Sequence, residues 1–170
     1  YHRQGDVTAI LDQGWDLMIA HPPCTYLSVS GMHWPARGLR DPKLTEDALA
    51  FVRTLMSAPI PKICIENPVS IISSRIRKPD QIIQPWQFGD DASKKTCLWL
   101  KNLPLLNNQD RSKWVAGRVV GEDKNGKTIV RWSNQTDSGQ NRLGPSEDRW
   151  KERSKTYSGI AKAMAETWGH

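Results

Sequence analysis

An α/β fold with a small β-rich insert is what the sequence predicts, and three stretches carry that expectation. Two short apolar runs, 15–20 and 62–66, each give way to proline. Between them, residues 44–56 repeat their apolar side chains at helical spacing. Strand, helix, strand in that order is the right-handed crossover unit of a parallel sheet. Farther on, two β-branched runs, 115–120 and 128–132, flank a polar turn bounded by Gly121 and Gly126, the pattern of a hairpin or a small paired insert.

The elements follow in order. Residues 6–11 suit a short helix or the turn into one. The run 15–20 reads as a buried strand with Trp15 in the core, and it stops at His21-Pro22-Pro23. The two prolines forbid both helix and ladder, so a rigid loop follows over 24–42. The helix 44–56 has Asp41-Pro42 at its start and an apolar face of Leu44, Ala48, Phe51, Val52 and Leu55. Residues 62–66 form a second buried strand, stopped by Asn67-Pro68. Residues 79–88 run extended, and 96–100 read as a further strand. After the hairpin, the polar stretch 133–149 reads as a mobile loop. A closing helix spans 156–168, with Ile160, Ala163, Met164 and Trp168 on one face. There is no internal repeat.

Composition limits the function classes. With 170 residues and 38% hydrophobic content the chain is sized for a single domain, 1–170. Three Cys exclude a disulfide scaffold. No apolar run approaches the ~20 residues of a membrane span, and the polar start is no signal peptide. A soluble, cytoplasmic protein is expected, and Tyr1 in place of Met suggests a piece of something longer. The formal charge is +6, from 24 Lys and Arg against 18 Asp and Glu. Its excess sits late: residues 1–85 hold 9 and 8, residues 86–170 hold 15 and 10. Such a field suits a polyanion such as DNA.

Both predicted strands end in reactive residue types. The first runs into His21-Pro22-Pro23-Cys24-Thr25, the second into Glu66-Asn67-Pro68. Ligands of open α/β sheets bind beyond the carboxyl ends of the strands. Neighbouring strands would therefore bring Cys24 and Glu66 to one crevice as nucleophile and acid. Cys64 and Cys97 read as small buried hydrophobes. The three Cys lack the paired spacing of a zinc site, and no metal is expected. His21 and His33 flank Cys24; either activates the thiol or is structural. Trp99 and Trp168 read as core, whereas Trp34, Trp114 and Trp132 either stack on bases or pack on the surface. Asp90-Asp91 and Glu147-Asp148 read as solvated pairs.

Taken as an ordered set, these residues resemble the DNA cytosine-5 methyltransferases, and more closely the short phage and prophage versions found among restriction-modification systems. Pro23-Cys24 is similar to the family's Pro-Cys nucleophile motif, and Glu66-Asn67-Pro68 to its Glu-Asn-Val motif. Gly5-Asp6-Val7 is similar to its Gly-Asp-Ile element. Phe88-Gly89 through Lys94-Lys95-Thr96-Cys97-Leu98-Trp99 takes the place of its basic strand, and the stretch from Arg153 to Ala161 that of its closing motif.

The resemblance implies a partial Rossmann-like methyltransferase sheet and a cytosine swung out of the DNA duplex. Cys24 would add to carbon 6, and Glu66 would bond N3. Thr25, Arg75, Arg77, Lys94 and Lys95 would meet the DNA. Residues 114–144, with Trp114 and Arg131, would read a short target sequence. S-adenosylmethionine would be the cofactor, near Asp6, Pro22, Ser158 and Gly159.

One departure stands out. The family's Gly-rich cofactor turn precedes Gly-Asp-Ile, and only residues 1–4 precede Gly5 here. The cofactor pocket is thus expected to be incomplete. Three explanations stay open: a protein partner supplies the missing half, a truncated homologue binds DNA without methylating it, or a nuclease has been built on the scaffold. A module whose basic half docks an acidic protein is a further class. No membrane partner is expected.

Overall fold

The computed structural model describes residues 2–29, 38, 41–144 and 154–169. The fold is mixed α/β. In chain order it holds β1 (Leu17–Ala20), α1 (Lys43–Ser57), β2 (Lys62–Pro68), α2 (Ile72–Arg75), β3 (Gln81–Ile83), β4 (Thr96–Lys101), β5 (Arg118–Glu122), β6 (Thr128–Arg131) and α3 (Ser158–Trp168). Short 3-10 helices occupy Val7–Ile10, Pro85–Phe88 and Arg111–Lys113. The chain divides into two compact units, residues 1–82 with 96–105, and residues 83–95 with 106–170.

The main sheet has four strands in the order β1-β2-β4-β3. β1 and β2 pair in parallel with α1 between them in sequence, as the crossover pattern predicts. The sheet is mixed, however, because β4 runs antiparallel to β2. Thr96, Cys97, Leu98 and Trp99 are all buried, so β4 is covered on both faces and its sequence is continuously apolar rather than alternating.

β2 corrects the expected stop at Asn67. It continues to Pro68, with Asn67 opposite Cys97 and Pro68 opposite Thr96. Proline is tolerated there because the last strand residue sacrifices least of the ladder.

The core of the first unit joins Leu49, Val52 and Leu55 of α1 to Ile63 and Ile65 of β2 and Trp99 of β4. Each such buried side chain contributes about 1.5–3 kcal/mol. Leu44 does not share this face: it is 39% exposed in the first turn of α1, and Leu49 takes the core position. The side chain of Asp41 accepts from the Lys43 N–H, serving that exposed helix start. Trp15 is also displaced from its expected place. It is 43% exposed, and its indole N–H donates to the Ile10 carbonyl. β1 ends the strand order, so the residues leading into it meet solvent on one side.

In the second unit, β5 and β6 form the expected hairpin, with an irregularity between Val119 and Gly121. Trp86 holds the unit together. Its ring stacks on Trp132 at 5.4 Å and meets Trp114 edge-on at 4.9 Å. Trp114 and Trp132 thus adopt the packing alternative. Residues 133–144, read as mobile, are instead fixed by hydrogen bonds. Asn134 exchanges two with the Ser93 backbone, and Gln135 bridges Asn141. Residues 145–149 of that stretch lie outside the described residues. α3 buries Ile160, Met164 and Trp168, one residue per turn.

Candidate active site at the ends of β1 and β2

The parallel register sets Ala20 beside Ile65, so the next residues out, His21 and Glu66, are cross-strand neighbours. The His21 Nδ1 lies 2.8 Å from the Glu66 Oε2. One residue farther, the Asn67 side-chain amide donates to the Pro22 carbonyl at 2.8 Å, out of contact with water. These two bonds clip the strand ends together.

The loop that follows is built on Cys24. Its carbonyl accepts from the N–H groups of Leu27 and Ser28. Leu27 and Ser28 in turn join the chain leaving β2: the Ile71 N–H donates to the Leu27 carbonyl, and Ser28 bridges Ser70. Cys24 is exposed on this tethered turn, whereas Pro22 beneath it is buried. The structure thus carries the Cys24 loop and Glu66 on the exits of adjacent strands, where the sequence places them. Thr25 is exposed on the same turn.

The chemistry of the corner is uneven. The Glu66 side chain is only 14% exposed, that of His21 40%. Two buried oxygens next to this corner, Asn67 Oδ1 and Ser70 Oγ, have no hydrogen-bond partner among the described residues. Cys64 is inert by comparison. Burial first, then the charges of Glu66 and Asp80, push its thiol up to about 12. Cys97 is buried as well.

Most of the remaining candidates are engaged in the fold. In the first unit, Arg75 pairs with Glu46 of α1 at 2.8 Å. Arg77 binds Asp80 at 2.8 Å and the Leu100 carbonyl at 3.0 Å. In the second unit, Trp114 packs on Trp86, and the Arg131 guanidinium packs along Gly139 and donates to the Val130 carbonyl. Lys94 is half-buried and Lys95 exposed. Asp90 and Asp91 are structural rather than merely solvated: Asp90 caps α3, and Asp91 accepts twice from Ser133. His33, Trp34, Glu147, Asp148 and Arg153 lie outside the described residues. Among the described residues, no three His, Cys, Asp or Glu side chains gather as a metal site would require, and no helix is long and apolar enough to cross a membrane.

Most polar groups of the residues expected around S-adenosylmethionine are engaged within the fold. The Asp6 carboxylate caps the first 3-10 helix through the N–H and hydroxyl of Thr8. The Pro22 carbonyl is taken by Asn67. The Ser158 hydroxyl and the Gly159 N–H both donate to the Asp90 carboxylate, which closes the start of α3. Of the polar groups on these four residues, the exposed Asp6 Oδ2 accepts no hydrogen bond among the described residues, whereas the Pro22 carbonyl, the Ser158 hydroxyl proton and the Gly159 N–H are engaged.

His21 as a partner of Glu66 and Asn67 as a partner of Pro22 were not assigned from sequence. The signal lay in setting the two strand ends side by side, which aligns His21-Pro22 with Glu66-Asn67. No protein-family model matches the chain, and no curated protein matches it.

Proposed function

We propose that this chain activates cytosine in DNA for reaction at carbon 5, as the DNA cytosine-5 methyltransferases do. Cys24 is the nucleophile and Glu66 the proton donor to N3. The observation that supports this most is the sheltered Glu66 carboxyl, clipped to His21 next to the strand exit that carries the exposed Cys24. The parallel β1–α1–β2 unit is the part of a Rossmann-like sheet that the reading needs.

Cytosine carbon 5 is a poor nucleophile. The Cys24 thiol loses its proton to solvent, and its sulfur bonds to carbon 6. The C5=C6 electron pair shifts toward C4, and the C4=N3 pair settles on N3, which takes a proton from Glu66. Carbon 5 thereby gains the enamine character that lets it accept a methyl group. A base in a duplex must leave the stack to reach such a corner, and the formal charge of +6 favours a polyanion such as DNA. S-adenosylmethionine supplies the methyl group in this class of reaction. Since most polar groups of Pro22, Ser158 and Gly159 are engaged within the fold, the reading assigns much of its binding to other residues or to a partner chain. A DNA substrate of this kind belongs to the cytoplasm of a bacterium or of a phage-infected cell.

The test uses pooled duplexes carrying 2-pyrimidinone in place of cytosine within randomised sequence. That base adds thiols at carbon 6 and releases them slowly, without any methyl donor. A covalent complex on denaturing gels, mapped by mass to Cys24 and lost in Cys24→Ser, is expected. Folded chain that binds these duplexes at low salt and forms no complex is instead a DNA-binding protein that does not methylate.

A further inference from the structure

We propose that His21 is a positioning residue that decides which oxygen of the Glu66 carboxyl carries the acid proton; this rests on the function proposed above. The His21 Nδ1 sits 2.8 Å from the Glu66 Oε2, whereas Oε1 has no hydrogen-bond partner among the described residues. The carboxyl is largely sheltered while the ring is partly open to solvent. The arrangement follows from the register that ends at Ala20 and Ile65.

A carboxyl group has two oxygens of equal intrinsic acidity, and only one can face a bound base. In the Nδ1–H tautomer, His21 donates to Oε2 and holds it as an acceptor. The acid proton then resides on Oε1, the oxygen left to meet N3. When Cys24 adds to carbon 6, the Oε1–H bond breaks and an N3–H bond forms. The carboxylate left behind keeps its Nδ1–H bond, now charge-assisted and stronger. His21 neither gains nor loses a proton in this step. The surroundings do not compete for it. Cys64, two residues back on the same face of β2, keeps its proton, and the residue opposite Glu66 on β4 is Leu98. On the loop after β1 the nearest titratable group along the chain is Cys24 itself.

A purely structural clip between β1 and β2 would use the same bond, so the test must separate the two. His21→Ala removes the donor. His21→Asn keeps a side-chain N–H at the place of Nδ1. For each variant and the unaltered chain, adduct formation on the 2-pyrimidinone duplexes gives a rate at saturating DNA and a half-saturating concentration, and thermal unfolding reports the fold. In His21→Ala the saturated rate is expected to fall roughly tenfold to a hundredfold, the scale for a misplaced reacting group. Half-saturation is expected to stay the same, and Asn to restore most of the rate. An unchanged rate in folded His21→Ala overturns the inference, as does equal slowing in the Ala and Asn variants. No adduct with the unaltered chain removes the parent function and this inference with it.

Discussion

Asn67 and Pro22 join across the end of the sheet, the side-chain amide of one donating to the backbone carbonyl of the other at 2.8 Å with no access to water. Pro22 lies two residues before Cys24, so this bond ties the nucleophile's loop to β2. Asn67→Ala leaves the buried carbonyl without a donor, a loss of about 1–3 kcal/mol. Denaturant titration should show that decrease, and adduct formation should slow in the variant that remains folded.

Cys24 differs from the other two cysteines in exposure. Iodoacetamide at mildly alkaline pH is expected to label Cys24 alone in the folded chain. Cys64, pushed up to about 12, and the buried Cys97 should label only after unfolding. Cys24→Ser should leave stability within about 0.5 kcal/mol, as surface changes do, while abolishing the adduct. Peptide mapping of the alkylated protein and thermal unfolding check both halves.

The start of α3 depends on one carboxylate and one missing side chain. A Cβ at Gly159 would lie 2.0 Å from the Phe88 carbonyl oxygen and 2.8 Å from an Asp90 carboxyl oxygen. Gly159→Ala is therefore expected to destabilise by about 1–3 kcal/mol or more, the overpacking range. Asp90→Ala removes both cap bonds and should cost about 0.5–2 kcal/mol. Chemical denaturation followed by tryptophan fluorescence reads both, since Trp168 lies on the buried face of that helix.

Acid should weaken the fold through Asp80. Burial pulls this carboxyl up, but bonds from Arg77 and from the Leu100 N–H, together with the Arg77 charge, outweigh it and hold Asp80 below its ordinary 3.8. A depressed folded value stabilises the protein above the unfolded one and is lost as pH falls through the folded one. Unfolding free energy should thus be constant in this respect near neutrality and decline as pH drops below about 4. Asp80→Asn should lower stability at neutral pH and flatten that decline; an identical acid slope in the variant would count against the assignment.

Local pattern made much of this fold readable. β1, β2 and α1 show their apolar periods, proline follows β1 and closes β2, and α3 repeats Ile160, Met164 and Trp168 one turn apart. Position across the sheet was not readable. The apolar run that starts at Trp15 gives no sign that its strand is outermost, so by pattern alone Trp15 reads as core. Leu44 fits the helical period but falls in the first turn, short of the core. The site divides the same way. Cys24 and Glu66 could be chosen because each sits at a strand end with unusual chemistry. The His21–Glu66 and Asn67–Pro22 bonds link residues 45 apart in sequence, so they follow from register alone. The Trp86–Trp132 stack likewise has no local signature.

The division of the chain has a consequence for its synthesis. The polypeptide passes from one unit to the other three times, at 82–83, 95–96 and 105–106. No single cut can therefore liberate either unit intact, and a truncation meant to isolate one removes β4 or residues 83–95. During translation the first unit has all its residues once position 105 has emerged. Trp86 must by then wait for Trp114 and Trp132, and Asp90 for the start of α3. That interval leaves an apolar segment without its ring partners, the kind of exposure that favours aggregation when elongation is slow.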